Sequence, residues 1–301
     1  MTDASVLSRL GTTGVQVGIG PFLVHVRAEL PLVHRYLETL YADFPISSAD
    51  GGHFDTRVLA TRGLRRWVRP QANLIVNGEH PFLPLPAALA GALFEWTLNW
   101  CVGNEAHRFV AMHAAVVERD GRALIISGES GAGKSTLCAA LVVAGWRLFS
   151  DEFALVEPDT GMLSPLPRPV SLKNASIEII RARAPQAVFG PEGVDIEDAR
   201  FVHMKPPSSS VRRALEPAMP SIVIFPRWRA GAPTSLARVP TAHVLMRLAD
   251  QSFNYNYLGV RGFEAIAGLA RRVEGYELEY SDLDDVLPRL AGLCDARARP
   301  A

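Results

Sequence analysis

The sequence predicts a mixed α/β protein, and three observations carry that prediction. A glycine-rich stretch, Gly128-Glu129-Ser130-Gly131-Ala132-Gly133-Lys134-Ser135, separates a short apolar run from an amphipathic segment, which is a strand–loop–helix order. Hairpin signals flank it, Asp120-Gly121 before and Pro158-Asp159-Thr160-Gly161 after, so antiparallel strands enter a sheet that would otherwise be parallel. The first hundred residues mix strand-like and helix-like patterns without such a loop. They read as a smaller α+β region, residues 1–105, ahead of a loop-bearing domain, residues 106–301.

Taken in order, Phe22, Val24 and Val26 alternate with Leu23, His25 and Arg27, which predicts a strand with one drier face. Residues 31–41 read as a short helix with Pro31 in its first turn. Residues 54–59 and 74–76 read as strands, the second ending at the Asn77-Gly78 turn. Leu85, Leu89, Leu93, Trp96 and Trp100 recur at helical spacing, so 85–102 is a buried or interface helix. Residues 112–117 and 123–126 form the first hairpin. Residues 137–144 are the helix after the loop, with Gly145 as its cap. Residues 146–149 are a strand leading to Asp151-Glu152, and 153–156 with 162–166 are the second hairpin. The stretch 185–220 is rich in Pro, Gly and Ser and reads as a long surface loop or flap. Then come a strand at 221–225, helices at 241–249 and 263–273, and a strand at 276–280. Ser281 with Asp284 resembles a capping box for a last helix carrying Val286, Leu287, Leu290 and Leu293.

Composition narrows the function classes. Lysine plus arginine and aspartate plus glutamate number 31 each, so no net charge draws the chain to nucleic acid or an anionic membrane. The apolar fraction of 48% supports a sizeable core. Cys101, Cys138 and Cys294 are far apart and odd in number, and read as reduced thiols of a cytoplasmic protein. No signal peptide is expected at the start. The most membrane-like stretch, 83–102, carries Pro84, Pro86, Glu95 and Asn99, which argues against a spanning helix.

The stretch 128–135 fits GxxxxGK[ST], a pattern met by accident on the order of once in a hundred chains of this length. Glycines let the backbone turn tightly and approach phosphates, and successive amides form an anion nest at a helix N-terminus. The pattern assigns Gly128, Glu129, Ser130, Gly131, Ala132, Gly133, Lys134 and Ser135 to ATP. Lys134 would reach the β- and γ-phosphates and the Ser135 hydroxyl would bind Mg²⁺. Thr136 is either a further phosphate contact or a plain helix residue. Asp151 and Glu152 follow Lys134 by 17 and 18 residues at a strand end. One such carboxylate can support Mg²⁺ and one can accept a hydroxyl proton. Motor and transporter ATPases place their acidic pair much further down the chain, and no NKxD motif is present.

His113, the hairpin, the loop with Ser130 in the serine position of GxSGxGKS, and Asp151-Glu152 together resemble the catalytic domain of HPr kinase/phosphorylase, over residues 113–156. The resemblance implies a P-loop kinase domain with a mixed sheet and hairpins. It also implies Asp151 as base toward a serine, Glu152 and Ser135 as metal support, and His113 beside them. The chain departs from the family in Glu152 for Asp, in Ala114 for Gly after the motif His, and in residues 167–174. The last departure weighs against phosphorylase activity and against HPr as acceptor. The whole chain looks closer to the HPr-kinase-related kinase A proteins associated with exosortase and polysaccharide systems. That implies a protein or peptide serine as acceptor and, in some systems, a PqqD-like peptide-binding partner. A homo-oligomer, a hexamer in the family, follows by analogy alone.

Two other function classes stay open on the residues: a small-molecule kinase acting on free serine or a sugar, and a nucleotide-binding scaffold without transfer chemistry. Arg168 and Lys173 read either as clamps on transferring phosphate or as surface charge. His113, on chemistry alone, reads more readily as a hydrogen-bonded core residue than as a catalyst, and the resemblance brings the two readings level. Asn254 to Tyr257, by number 254–257, read as a core strand rather than a pocket wall.

Overall fold

Alternation at period two builds the first sheet. In Phe22–Ala28, Phe22, Val24, Val26 and Ala28 are buried while the residues between them are more exposed. The computed structural model describes residues 4–63, 65–195 and 198–296. Its first sheet runs in the order Ile46–Ser47, Val15–Ile19, Phe22–Ala28, Phe54–Ala60, Gln71–Val76, Leu85–Pro86. All pairs are antiparallel except Phe22–Ala28 with Phe54–Ala60. Helix Pro31–Leu40, with proline in its first turn, and helix Ala90–Glu105 share this core. The expected helix start at Leu85 falls instead in a two-residue strand, because Leu85 pairs with Ala72.

The second sheet has eight strands, in the order Leu163–Ser164, Phe153–Val156, Val110–Arg119, Arg122–Ser127, Met219–Trp228, Glu274–Tyr280, Ser235–Val239. The eighth, Arg147–Ser150, lies on the same edge of Val110–Arg119 as Phe153–Val156. Arg122–Ser127, Met219–Trp228 and Glu274–Tyr280 are mutually parallel in that order, and the remaining pairs are antiparallel, so the sheet is mixed. The Asp120-Gly121 turn closes the first hairpin with φ of 53° and 79°, the left-handed region these residues tolerate. One face packs on helices Lys134–Val143, Ala175–Arg183 and Leu283–Ala296. The other packs on Thr241–Asp250 and Tyr255–Arg272.

Three local readings are corrected. The stretch 185–220 is not a structureless flap: Arg200–Met204 pairs with Gly193–Val194 on one side and Val170–Lys173 on the other, and Ser208–Arg212 is a helical turn. Tyr255 opens a helix rather than continuing a strand, and buried Asn254 bridges the Ala111 amide and the Phe109 carbonyl. The last helix is capped by Asp282, whose carboxylate accepts from the Asp284 amide, while the Ser281 hydroxyl donates to the Ala232 carbonyl. The three cysteines are buried and free. Among the described residues no helix is long and apolar enough to cross a membrane.

Candidate active site

Strand Arg122–Ser127 delivers the chain to the glycine-rich loop, and helix Lys134–Val143 leaves it. Gly131 and Gly133 take φ of 81° and 92°. At Gly133 the need is twofold, since a Cβ would also lie 2.8 Å from the Tyr280 hydroxyl. Glu129, Ser130 and Gly131 are exposed, while Gly128, Ala132, Ser135 and Thr136 are half-buried. Lys134 is buried and folds back over the loop: its ammonium donates to the Gly128 carbonyl at 2.7 Å and the Glu129 carbonyl at 2.9 Å. Two of its three donors are thereby spent on holding the loop, and one is left for a ligand. Burial lowers its pKa, and Glu152 and Asp151 oppose that shift.

The acidic pair lies where the edge partner of Val110–Arg119 is interrupted. Phe153 pairs with His113 and Ser150 with Val116, which puts Asp151 and Glu152 beside Ala115 and Ala114. Ala114 also pairs with Ser127, the last residue before the loop, so the acids lie two strands from the loop at the level where it begins. The Ser150 hydroxyl accepts the amides of Glu152 at 3.3 Å and Phe153 at 3.0 Å and pins the turn.

Asp151 is buried. Its Oδ2 accepts the Ser171 amide at 3.0 Å, and its Oδ1 has no partner among the described residues. Burial raises its pKa to about 7, and Glu152 adds to the shift; the Ser171 amide, the Ser135 hydroxyl and Lys134 pull the other way. Glu152 is half-buried, with Oε2 at 3.7 Å from Nε2 of His113. His113 is held through its amide, which donates to the Gln251 carbonyl at 2.8 Å. Burial lowers its pKa, Lys134 lowers it further, and Glu152 opposes both.

The residues singled out from sequence at 113, 128–136, 151 and 152 therefore converge on one end of the second sheet. Arg168 and Lys173 do not join them as phosphate clamps. Arg168 is buried against Glu95 and Asn99, and Lys173 pairs with Asp195 at 3.0 Å. Sequence reasoning missed Ser150 and Ser171. Ser150 had a local signal, a serine one residue before an acidic pair; Ser171 acts through its backbone amide and had none.

Across the loop strand from the acids, a cleft of about 840 Å³ opens between loop residues 127–132 and strand residues 225–228. Trp228 stands at its rim with 54% of its surface exposed and Nε1 bonded to the Ser281 carbonyl at 3.2 Å.

No protein-family model matches the chain, and no curated protein matches it. Among solved structures it is similar to the Hpr(Ser) kinase/phosphatase from Coxiella burnetii, at 12% identity, over 62% of this chain and 95% of that one, with a TM-score of 0.30.

Proposed function

We propose that this chain is an ATP-dependent kinase that transfers the γ-phosphate to a serine hydroxyl of a protein or peptide, in the manner of the HPr-kinase-related proteins. The observation that carries the proposal is the unpartnered Oδ1 of Asp151, buried next to Ser135 and Lys134. A buried carboxylate oxygen without a partner costs free energy, and a site that will receive an acceptor hydroxyl or a cation explains why it is kept.

In this reading the loop amides and the free donor of Lys134 hold the β- and γ-phosphates. The nucleoside end extends over the far side of the loop strand toward Trp228. Asp151, poised near neutrality, takes the proton of the serine hydroxyl as its oxygen bonds to the γ-phosphorus and the bond to the β–γ bridging oxygen breaks. Phosphoserine and ADP result, and the proton passes from Asp151 to solvent. The Ser135 hydroxyl and the Glu152 carboxylate are the hard oxygen donors suited to Mg²⁺, with nucleotide and water supplying the rest of its shell. Bound there, the cation would neutralise charge on the transferring group. His113, held largely neutral, orients Glu152.

The test is incubation with γ-labelled ATP and cell lysate, comparing wild type with Asp151→Asn. Label should enter a protein-sized acceptor, and the variant should lose transfer by about a hundredfold or more. Equal labelling by both proteins overturns the role of Asp151. Label that passes a small-pore filter favours a small-molecule acceptor instead, and tight ATP binding without turnover favours a scaffold. The proposal extends to a cytoplasmic setting, a PqqD-like partner and a homo-oligomer; pull-down of native partners, phosphosite mapping and sedimentation of the complex test these.

A further inference from the structure

The buried ion pair between Glu95 and Arg168 has no part in the site as described, yet it leads to it. Glu95 sits on helix Ala90–Glu105 of the first region, with only 4% of its surface exposed. Its Oε1 accepts the hydroxyls of Tyr36 at 3.1 Å and Tyr41 at 2.8 Å. Its Oε2 meets Nη1 of Arg168 at 3.4 Å, and its backbone carbonyl takes the same nitrogen at 3.3 Å. The other terminal nitrogen of Arg168 donates to Asn99 on the same helix, and the guanidinium lies 5.9 Å from the centre of the Phe153 ring.

Arg168 lies two residues before the edge strand Val170–Lys173, with Pro169 between, and the Ser171 amide on that strand is the donor that holds Oδ2 of Asp151. A buried ion pair is weak evidence for stability, because an apolar pair of similar volume does as well or better; what it supplies is direction. Here the planar guanidinium, gripped at two nitrogens by one helix, sets where residues 168–171 lie along Asp151.

From this chain of contacts, and resting on the kinase reading for its chemical consequence, we infer that Glu95 and Arg168 are positioning residues through which the first region fixes the orientation of the Asp151 carboxylate. The first region is thus a working part of the catalytic apparatus.

The test uses the full chain with three variants. Glu95→Gln leaves acceptors for both tyrosines but unpairs Arg168. The double variant Glu95→Gln/Arg168→Met removes both buried charges and so separates lost direction from lost stability. Hydrogen exchange of the amides of residues 168 and 170–173 should rise about tenfold in the double variant while the 122–143 amides keep their protection. The kcat for ATP-dependent transfer should fall by about a hundredfold, as for a small misplacement of a reacting group. The dissociation constant for ATP should stay within about threefold. Arg168→Lys should recover part of the loss. A double variant with wild-type exchange at 168–173 overturns the inference whether or not the protein proves to be a kinase. Altered exchange with unchanged kcat overturns its catalytic half. A wild-type chain without transfer removes the kinase reading and leaves the exchange result to decide the link.

Discussion

Gly133 shows at residue scale why the loop was legible. Its φ of 92° and the 2.8 Å approach of the Tyr280 hydroxyl to any added Cβ are local demands, and a local demand leaves a local mark in sequence. Gly133→Ala should therefore cost about 1–2 kcal/mol from backbone conformation alone. Displacement of the loop from Tyr280 should then raise the dissociation constant for ATP about tenfold or more, read by titration with a fluorescent nucleotide. Unchanged binding would mean that the amides at 131–134 do not shape the proposed nucleotide site. The closeness of Lys134, Ser135, Asp151 and Glu152 to one another was legible for the same reason, since short spacing along the chain became short spacing in the fold. Ser171 was not legible, because a backbone amide 20 residues from Asp151 carries no signature of its side chain. Arg168 was misread because an arginine in a proline-flanked stretch looks solvated until its partner, 73 residues away, is known.

At the scale of elements, hairpins and amphipathic helices were legible wherever turn chemistry and periodicity agreed. The small sheet of Val170–Lys173, Arg200–Met204 and Gly193–Val194 was not. Its strands are short, two are joined through a long excursion, and proline and glycine around them mimic a loop. Burial settles the matter, since Phe201, Val202, His203 and Met204 are all enclosed. His203 also ties this sheet to acid stability. Its ring lies 5.7 Å from Tyr36, and its Nδ1 has no partner among the described residues. Burial, with Arg168 and Lys173 nearby, lowers its pKa to about 3. An unfolded histidine takes up a proton below about 6.5, whereas the folded one stays neutral until about 3. The unfolded state thus binds more protons across that window, and stability falls as pH falls through it. Between pH 7 and pH 5 this one group should remove about 2 kcal/mol. His203→Phe should lose that much less over the same interval in urea unfolding measured at the two pH values. Equal losses would show that the imidazole is solvated in the native protein.

The whole molecule poses a question that spacing along the chain could not: whether residues 106–301, read from sequence as a loop-bearing domain behind a smaller α+β region, are self-sufficient. The core of the first sheet does not stop at that point. Phe109, Ala111, Phe153, Leu155, Leu166 and Val211 pack into the same apolar cluster as Phe22, Leu37, Phe94 and Leu98. Phe153 and Leu155 belong to the strand that follows the acidic pair, so the first region covers the back of the element that Asp151 and Glu152 lead into. Removing residues 1–105 would return these side chains to water at about 1.5–3 kcal/mol for each large one. Their sum approaches the whole stability of an ordinary domain, about 5–15 kcal/mol. A fragment spanning 106–301 should accordingly keep helical far-ultraviolet dichroism but lose near-ultraviolet signal, bind a hydrophobic dye and unfold without cooperativity. Sharp unfolding of that fragment, with native near-ultraviolet dichroism and no dye bound, would show instead that the loop-bearing sheet stands alone. Helix Ala90–Glu105 would then be a regulator laid upon it rather than part of its core.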